Sequence, residues 1–354
     1  MSLRPPDPFG VYIHIPFCRH RCDYCAFATW TDRDHVIDDY LDALRVDIAR
    51  ASLDPVSSVF VGGGTPTRVP AADLASVLAV VPLAPEAEVT VECNPDDVTV
   101  EMMQTYAAAG VNRVSIGVQS MVPSVLASLG RTHVPANVSN AVAAVRAAGI
   151  PTFNLDIIYG GAGETLDDWR ATLLGVLELE PPHVSAYALT IEAGTPLAED
   201  PSRHPDDDDL ADKYELADDL LSAAGLANYE VSNWAQPGDE CRHNILYWQQ
   251  SNYRGFGSAA HSHHDGHRWW NVRTPERYVA AVRDGESTEA AGENLDDETR
   301  RIEGLQLALR MKDGVPSSAL DLDGLDGLVV DDGDRVRLTR NGRLLANEVS
   351  LRLR

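Results

Sequence analysis

Six short β-branched runs, at 11–16, 58–61, 88–92, 113–118, 152–158 and 184–189, alternate with longer segments whose apolar residues recur at helical spacing, at 36–51, 71–80, 100–109, 138–148 and 166–179. This alternation constrains the fold more than any other feature of the chain. Strands separated by a helix are joined by crossovers and lie parallel, and a parallel sheet needs helices over its faces. The expectation is an α/β fold whose β/α units form a parallel sheet curled into an incomplete (β/α)6 barrel. At Gly110 and Gly149, glycine stands directly before an apolar strand starter, the left-handed stop of a helix-to-strand loop.

Most of the unusual residues follow these strands. Cys18 comes after the first, Gly62-Gly63-Gly64-Thr65-Pro66-Thr67 after the second, Glu92 closes the third, Gln119 follows the fourth, and Asp156 falls late in the fifth. Parallel α/β proteins build active sites at the C-terminal ends of strands, so these residues are expected to share one site. Three of the five cysteines form Cys18-x3-Cys22-x2-Cys25 in the loop leaving the first strand. Such close thiols make poor disulfide partners and good metal ligands. A 4Fe-4S cluster normally takes four thiolates, so three would leave one iron open to another ligand, as a reactive metal site requires. Taken alone, the residues also admit a zinc site completed by His14 or His20, or three reduced cysteines without metal.

The charge balance narrows the partners. Against 54 acidic residues stand 29 Lys and Arg, a formal charge of −25. That field repels phosphate backbones and argues against nucleic acid as a partner. With 44% hydrophobic and 23% charged residues the chain has the composition of a globular protein. The first ten residues contain no apolar leader, and no run reaches the length of a membrane span, so a cytoplasmic protein is expected.

The cysteine spacing together with the downstream motifs resembles the radical SAM family. Its cluster presents the open iron to S-adenosylmethionine (SAM), whose reductive cleavage yields a 5′-deoxyadenosyl radical. The resemblance implies a 4Fe-4S cluster on Cys18, Cys22 and Cys25, over a core running from about Tyr12 to Gly225. The glycine run can let a ligand approach the backbone, and the Glu92 carboxylate suits an ammonium or ribose hydroxyls. By motif position, the resemblance assigns one SAM to Tyr12, Gly63 and Glu92. It assigns Tyr24, Gly64, Thr65, Gln119, Arg131, Asp156 and Ala188 to a second SAM site, and gives no residue a catalytic role.

Several phrases are similar to one branch, the oxygen-independent coproporphyrinogen III oxidase-like proteins and their heme-chaperone relatives. They are His14-Ile-Pro-Phe-Cys18, Val91-Glu-Cys-Asn-Pro95, Ser115-Ile-Gly-Val-Gln-Ser120, Asp156-Ile-Ile-Tyr-Gly160 and Gly255-Phe-Gly-Ser-Ala-Ala-His-Ser262. The dehydrogenase pattern has a further cysteine where this chain has Phe27, and a longer segment before the first strand. In their place stands His243-Asn-Ile-Leu-Tyr247-Trp248, matching the His-Asn-x-x-Tyr-Trp signature of the heme chaperones. The resemblance therefore implies heme binding and delivery to heme-requiring apoproteins. A coproporphyrinogen III dehydrogenase or another radical SAM oxidoreductase is the alternative. His243 is the expected axial heme ligand, with Cys241 as a rival thiolate and Tyr247 and Trp248 as flat faces. A homodimer and peripheral association with membrane-bound heme enzymes are compatible with this reading.

The same resemblance divides the chain into a core, 1–225, an aromatic and histidine-rich extension, 226–296, and a C-terminal unit, 297–354. The last reads as a small α+β winged-helix-like domain: a helix over 299–311, a hairpin turning at Asp331-Asp-Gly-Asp334, and a final helix over 342–353. The acidic run at 206–209 reads as a helix N-terminus. Of His261, His263, His264 and His267, only His261 belongs to a family phrase. The others read as a solvated loop tip, and the group is not expected to bind metal. Cys93, one step along a strand from Glu92, is expected to be buried packing.

Overall fold

All six β-branched runs are strands of one parallel array in the computed structural model, which describes residues 8–354. Residues 1–7, part of the stretch expected to lack a leader, lie outside the described residues. The order is β1 (Phe9–Ile15), α1 (Ile37–Arg50), β2 (Val56–Gly63), α2 (Ala71–Leu78), β3 (Leu83–Cys93), α3 (Val100–Ala108), β4 (Arg113–Gln119), α4 (Pro123–Ser128), α5 (Pro135–Ala147), β5 (Thr152–Tyr159), α6 (Leu166–Leu177) and β6 (His183–Ala188). β1 to β6 pair in parallel and in chain order. Gly110 and Gly149 have φ of 91° and 73°, the left-handed stops their position requires.

After α7 (Asp207–Ala223), whose N-cap Asp206 accepts from the amides of Asp208 and Asp209, come β7 (Ala227–Glu230), β8 (Asn233–Ala235), α8 (Arg242–Trp248), β9 (Asn252–Phe256), β10 (His261–His264), β11 (His267–Asn271), α9 (Pro275–Asp284) and β12 (Glu289–Asn294). They extend the array at both edges into a twelve-stranded sheet, ordered β12-β11-β10-β9-β1-β2-β3-β4-β5-β6-β8-β7. Its two ends do not pair, so the barrel stays incomplete.

Strand alternation divides labour between the two faces of the sheet. One face carries Val11, Ile13, Ile15, Val59, Val61, Val89, Val91, Val114 and Ile116, all buried in the main apolar core. The other turns Tyr12, His14, Thr90, Glu92, Ser115, Asn154, Asp156 and Ser185 into the hollow of the curled sheet. The apolar face drives folding, and the polar face is left to the site.

The C-terminal unit comprises α10 (Asp297–Leu309), β13 (Val315–Pro316), β14 (Val329–Asp331), β15 (Arg335–Leu338), α11 (Arg340–Leu344) and α12 (Ala346–Ser350). Its sheet runs β13-β15-β14 over a core of its own, built on Leu309, Val315, Leu320, Leu325, Val336 and Val349. The single final helix expected over 342–353 is two short ones. At Leu345 the backbone leaves helical geometry, at φ −111° and ψ 27°, and its amide bonds back to the Gly342 carbonyl in a tight turn.

This unit is latched to α7 through Asp218. That carboxylate accepts from Arg340 Nε at 2.7 Å, Arg343 Nη2 at 2.8 Å and Trp234 Nε1 at 2.9 Å. Although burial opposes its charge, the Trp234 and Arg343 hydrogen bonds hold its pKa below the ordinary carboxylate range. The stabilisation is therefore present at neutral pH and is lost as pH falls through that depressed value. Asp218→Ala is expected to reduce unfolding free energy by about 2 kcal/mol at pH 7, read from the urea midpoint, with the difference shrinking in acid.

Candidate functional site

The cysteine loop is held by its backbone. The Cys18 amide donates to the Trp30 carbonyl at 3.0 Å and the Trp30 amide to the Pro16 carbonyl at 2.8 Å, closing the loop at its base. Cys18, Cys22 and Cys25 are free thiols and only partly buried. Burial, and after it the neighbouring thiols, raise the pKa of Cys18 and Cys25, against hydrogen bonds from Thr65 to Cys18 and from the Phe27 backbone to Cys25 that pull it down. Thr65 Oγ1 donates to Cys18 Sγ at 3.6 Å and Arg131 Nη1 to Cys22 Sγ at 3.6 Å. Donors aimed at sulfur favour thiolate, and three such groups on one loop fit a cluster that takes one thiolate per iron.

A zinc site would need His14 or His20 besides the thiols; among the described residues no three His, Cys, Asp or Glu side chains, these cysteines included, are set around a single point for a metal ion. The two histidines that could have completed one are engaged: His14 Nε2 donates to the Ala28 carbonyl at 3.0 Å, and His20 Nε2 meets the Gly130 carbonyl.

The glycine run after β2 is required by the chain itself. A Cβ on Gly63, whose φ is +110°, would lie 2.3 Å from His14 Nδ1, and one on Gly64 would lie 2.8 Å from the Ile15 and Phe17 carbonyl oxygens. One on Gly62 would lie 2.8 Å from Glu92 Oε2. Through this close packing the Gly63 amide donates to Glu92 Oε2 at 3.1 Å. Burial, then repulsion from Asp156, outweighs that bond and pushes the Glu92 pKa up to about 8. Asp156 is itself raised by burial while accepting from Ser115 Oγ at 2.6 Å and Asn154 Nδ2 at 2.7 Å. A cation placed beside them would favour the charged form of both carboxyls.

The hollow of the sheet is a cavity of about 1000 Å³. Tyr12, Gly63, Glu92 and Asp156 line it together, with the Tyr12 hydroxyl donating to His14 Nδ1 at 2.9 Å. Tyr24 and Arg131 adjoin Cys22, and Gln119 lies beside Gly117 next to Arg131. Arg131 Nη2 donates to the Gly117 carbonyl at 3.2 Å, and Gln119 takes a left-handed φ of 62° that brings its amide against Gly117. Gly64 and Thr65 adjoin the cysteine loop through the Thr65 amide, which donates to the Phe17 carbonyl. Ala188 stands apart from both groups, exposed at the end of β6.

His243, the expected axial ligand, has both ring nitrogens engaged by neighbouring side chains. It is fully buried, with Nδ1 2.8 Å from Ser58 Oγ and Nε2 2.8 Å from the Tyr247 hydroxyl, and its amide donates to Glu88 Oε1 at 2.9 Å. Burial lowers its pKa to about 3, keeping it neutral. The signature histidine thus ties α8 to β2 and β3, and no ring nitrogen is left for iron in this arrangement. Cys241 is likewise buried, its thiol pushed up to about 12 by burial and the nearby Glu88, and donates to Glu88 Oε1.

The expected histidine loop tip is a hairpin. His263 lies on β10, buried, with Nδ1 3.1 Å from the Ser251 carbonyl and Nε2 accepting from the Gly266 amide. Cys93 is buried as expected. Sequence reading missed the cavity's other walls: Phe60, Tyr253 and Trp270, with Arg273 and Arg277. Among the described residues neither arginine has a carboxylate within 4.0 Å, although most arginines of the chain do. Being unpaired is a property of the fold, invisible in a residue list.

Residues 12–174 match the Radical SAM superfamily. The heme chaperone HemW of Mycobacterium tuberculosis is 43% identical over 99% of this chain and 95% of its own length. HemW of Escherichia coli is 36% identical over 97% of each chain, and HemW of Bacillus subtilis 32% over 96% of this chain and 97% of its own. The solved structure of coproporphyrinogen III oxidase HemN from Escherichia coli superimposes with a TM-score of 0.85, covering 99% of this chain and 91% of that one at 23% identity, and so shares the fold.

Proposed function

The chain belongs to the HemW family of the radical SAM superfamily, and on that premise we propose that it binds heme in the barrel cavity and delivers it to heme-requiring apoproteins. Proteins of this superfamily use a 4Fe-4S cluster and SAM, so reductive SAM cleavage is chemistry open to this chain. In this reading Cys18, Cys22 and Cys25 hold the cluster, Tyr12, Gly63 and Glu92 hold the SAM it faces, and Asp156 supports Glu92. The residues near Cys22, namely Tyr24, Gly64, Thr65, Gln119 and Arg131, are the place for a second SAM, while Ala188, apart from them at the end of β6, would need that ligand to reach it.

The observation that carries the heme reading is the make-up of the cavity. At about 1000 Å³ it is at the large end for small-molecule sites. Its aromatic walls, Tyr12, Phe60, Tyr247, Tyr253 and Trp270, offer flat faces, and Phe27, 67% exposed, adds an apolar edge. Arg273 and Arg277, without a carboxylate partner among the described residues, supply guanidinium groups to a chain of charge −25. Flat apolar walls with cations at one side suit a planar tetrapyrrole with two carboxylates. Among the described residues no helix is long and apolar enough to cross a membrane, so a membrane-bound recipient would be met at a surface.

Reversing both cations tests the placement. Arg273→Glu with Arg277→Glu is expected to weaken hemin binding by about tenfold or more, as loss of two charge-assisted contacts implies, while SAM binding measured by calorimetry is unchanged. Unaltered hemin affinity in the double variant would remove heme from this cavity.

A further inference from the structure

The signature histidine is spent on structure, which raises the question of which group meets the iron. Five histidines lie on or beside the cavity: His14, His183, His243, His261 and His263. Four have both ring nitrogens engaged. His14 pairs with Tyr12 and the Ala28 carbonyl, and His183 with Asn154 Oδ1 at 2.7 Å and the Tyr229 hydroxyl at 2.9 Å. His243 is held by Ser58 and Tyr247, and His263 by the Ser251 carbonyl and the Gly266 amide. An imidazole so held cannot coordinate iron without breaking a buried hydrogen bond.

His261 differs from them all. It is exposed on the cavity wall at the start of β10, and among the described residues neither of its nitrogens has a hydrogen-bond partner. Across the β10–β11 pair it stands opposite Trp270, with the two rings stacked at 5.6 Å and 29°. That stack fixes the imidazole plane while leaving its nitrogens free, as a metal ligand requires. The unpaired Arg273 lies just past the end of β11, the strand that carries Trp270. The rival thiolate, Cys241, is buried and hydrogen-bonded to Glu88.

We propose that His261 is the protein ligand to the heme iron. This rests on the heme reading above and adds the coordinating atom to it. The arrangement puts the imidazole in the wall of a cavity that Arg273 and Arg277 also line.

The test uses the full chain carrying its cluster, titrated with ferric hemin under anaerobic conditions and followed by Soret absorbance and electron paramagnetic resonance. Wild type is expected to give an imidazole-ligated spectrum. His261→Ala is expected to bind hemin about tenfold more weakly and to lose that signature, and added free imidazole is expected to restore it. Because His261 is exposed, its thermal unfolding should match wild type. His243→Asn and Cys241→Ser are expected to keep the wild-type signature in whatever fraction folds. A wild type that fails to bind hemin overturns the heme reading itself. A wild type that binds, with His261→Ala keeping the same ligation spectrum, overturns only the assignment of His261.

Discussion

Serine in place of any one of Cys18, Cys22 or Cys25 is expected to strip the protein of nearly all its iron and visible absorbance while the chain remains folded. The sulfurs are partly exposed and outside the apolar core, and the loop that carries them is closed by backbone bonds from Cys18 and Trp30 that serine preserves. A cluster held by only two thiolates loses an iron anchor, so the effect should approach complete loss. Iron and sulfide analysis after anaerobic reconstitution reads it directly. Cys93→Ser and Cys241→Ser, at buried positions outside the loop, should retain iron in the folded protein. A triple serine variant that still carries a cluster would place the metal elsewhere, and a colourless zinc-loaded wild type would make the loop a zinc site.

The second large effect concerns Glu92, whose carboxyl is pushed up to about 8. Below that pH the free protein holds a proton there. Binding a cationic amino group to the carboxylate then requires the proton to leave, so apparent SAM affinity should fall about tenfold for each pH unit below 8 and level off above it. Glu92→Gln keeps the shape and an acceptor for the Gly63 amide but removes the charge. Its SAM binding should be weaker by about 1.5–3 kcal/mol at pH 8 and should lose the slope. Folding carries the matching sign. A raised folded pKa means this group's contribution is present in acid and lost as pH rises through about 8, so unliganded Glu92→Gln should gain stability over wild type at higher pH. Calorimetry across pH with and without SAM reads both; a flat wild-type SAM profile would remove Glu92 from the ammonium.

These expectations rest on parts of the molecule that differ in how readable they are from the residues alone. Period-two burial of Val59, Val61, Val89, Val91, Val114 and Ile116 writes the parallel strands openly, because the apolar face has one job. The cysteine loop and the glycine run are equally legible, since each needs particular residue types at fixed spacing. What stays hidden is which polar groups find each other. His243 and His261 look alike as text, yet one is consumed by Ser58 and Tyr247 and the other is left free beside Trp270. Arg273 and Arg277 are two arginines among many until the fold leaves them, among the described residues, without carboxylates. The break at Leu345 is also a tertiary effect, since no proline marks it: the hairpin and the buried Val349 set where the chain must turn.

The account's central claim, that the cavity receives heme, is tested most directly by anaerobic titration of the cluster-loaded protein with hemin, followed by absorbance. The account predicts a saturable change in the Soret band that ends near one heme per chain and is weakened by reversing Arg273 and Arg277. Absorbance that rises in proportion to added hemin without saturating, in wild type and variant alike, would contradict it.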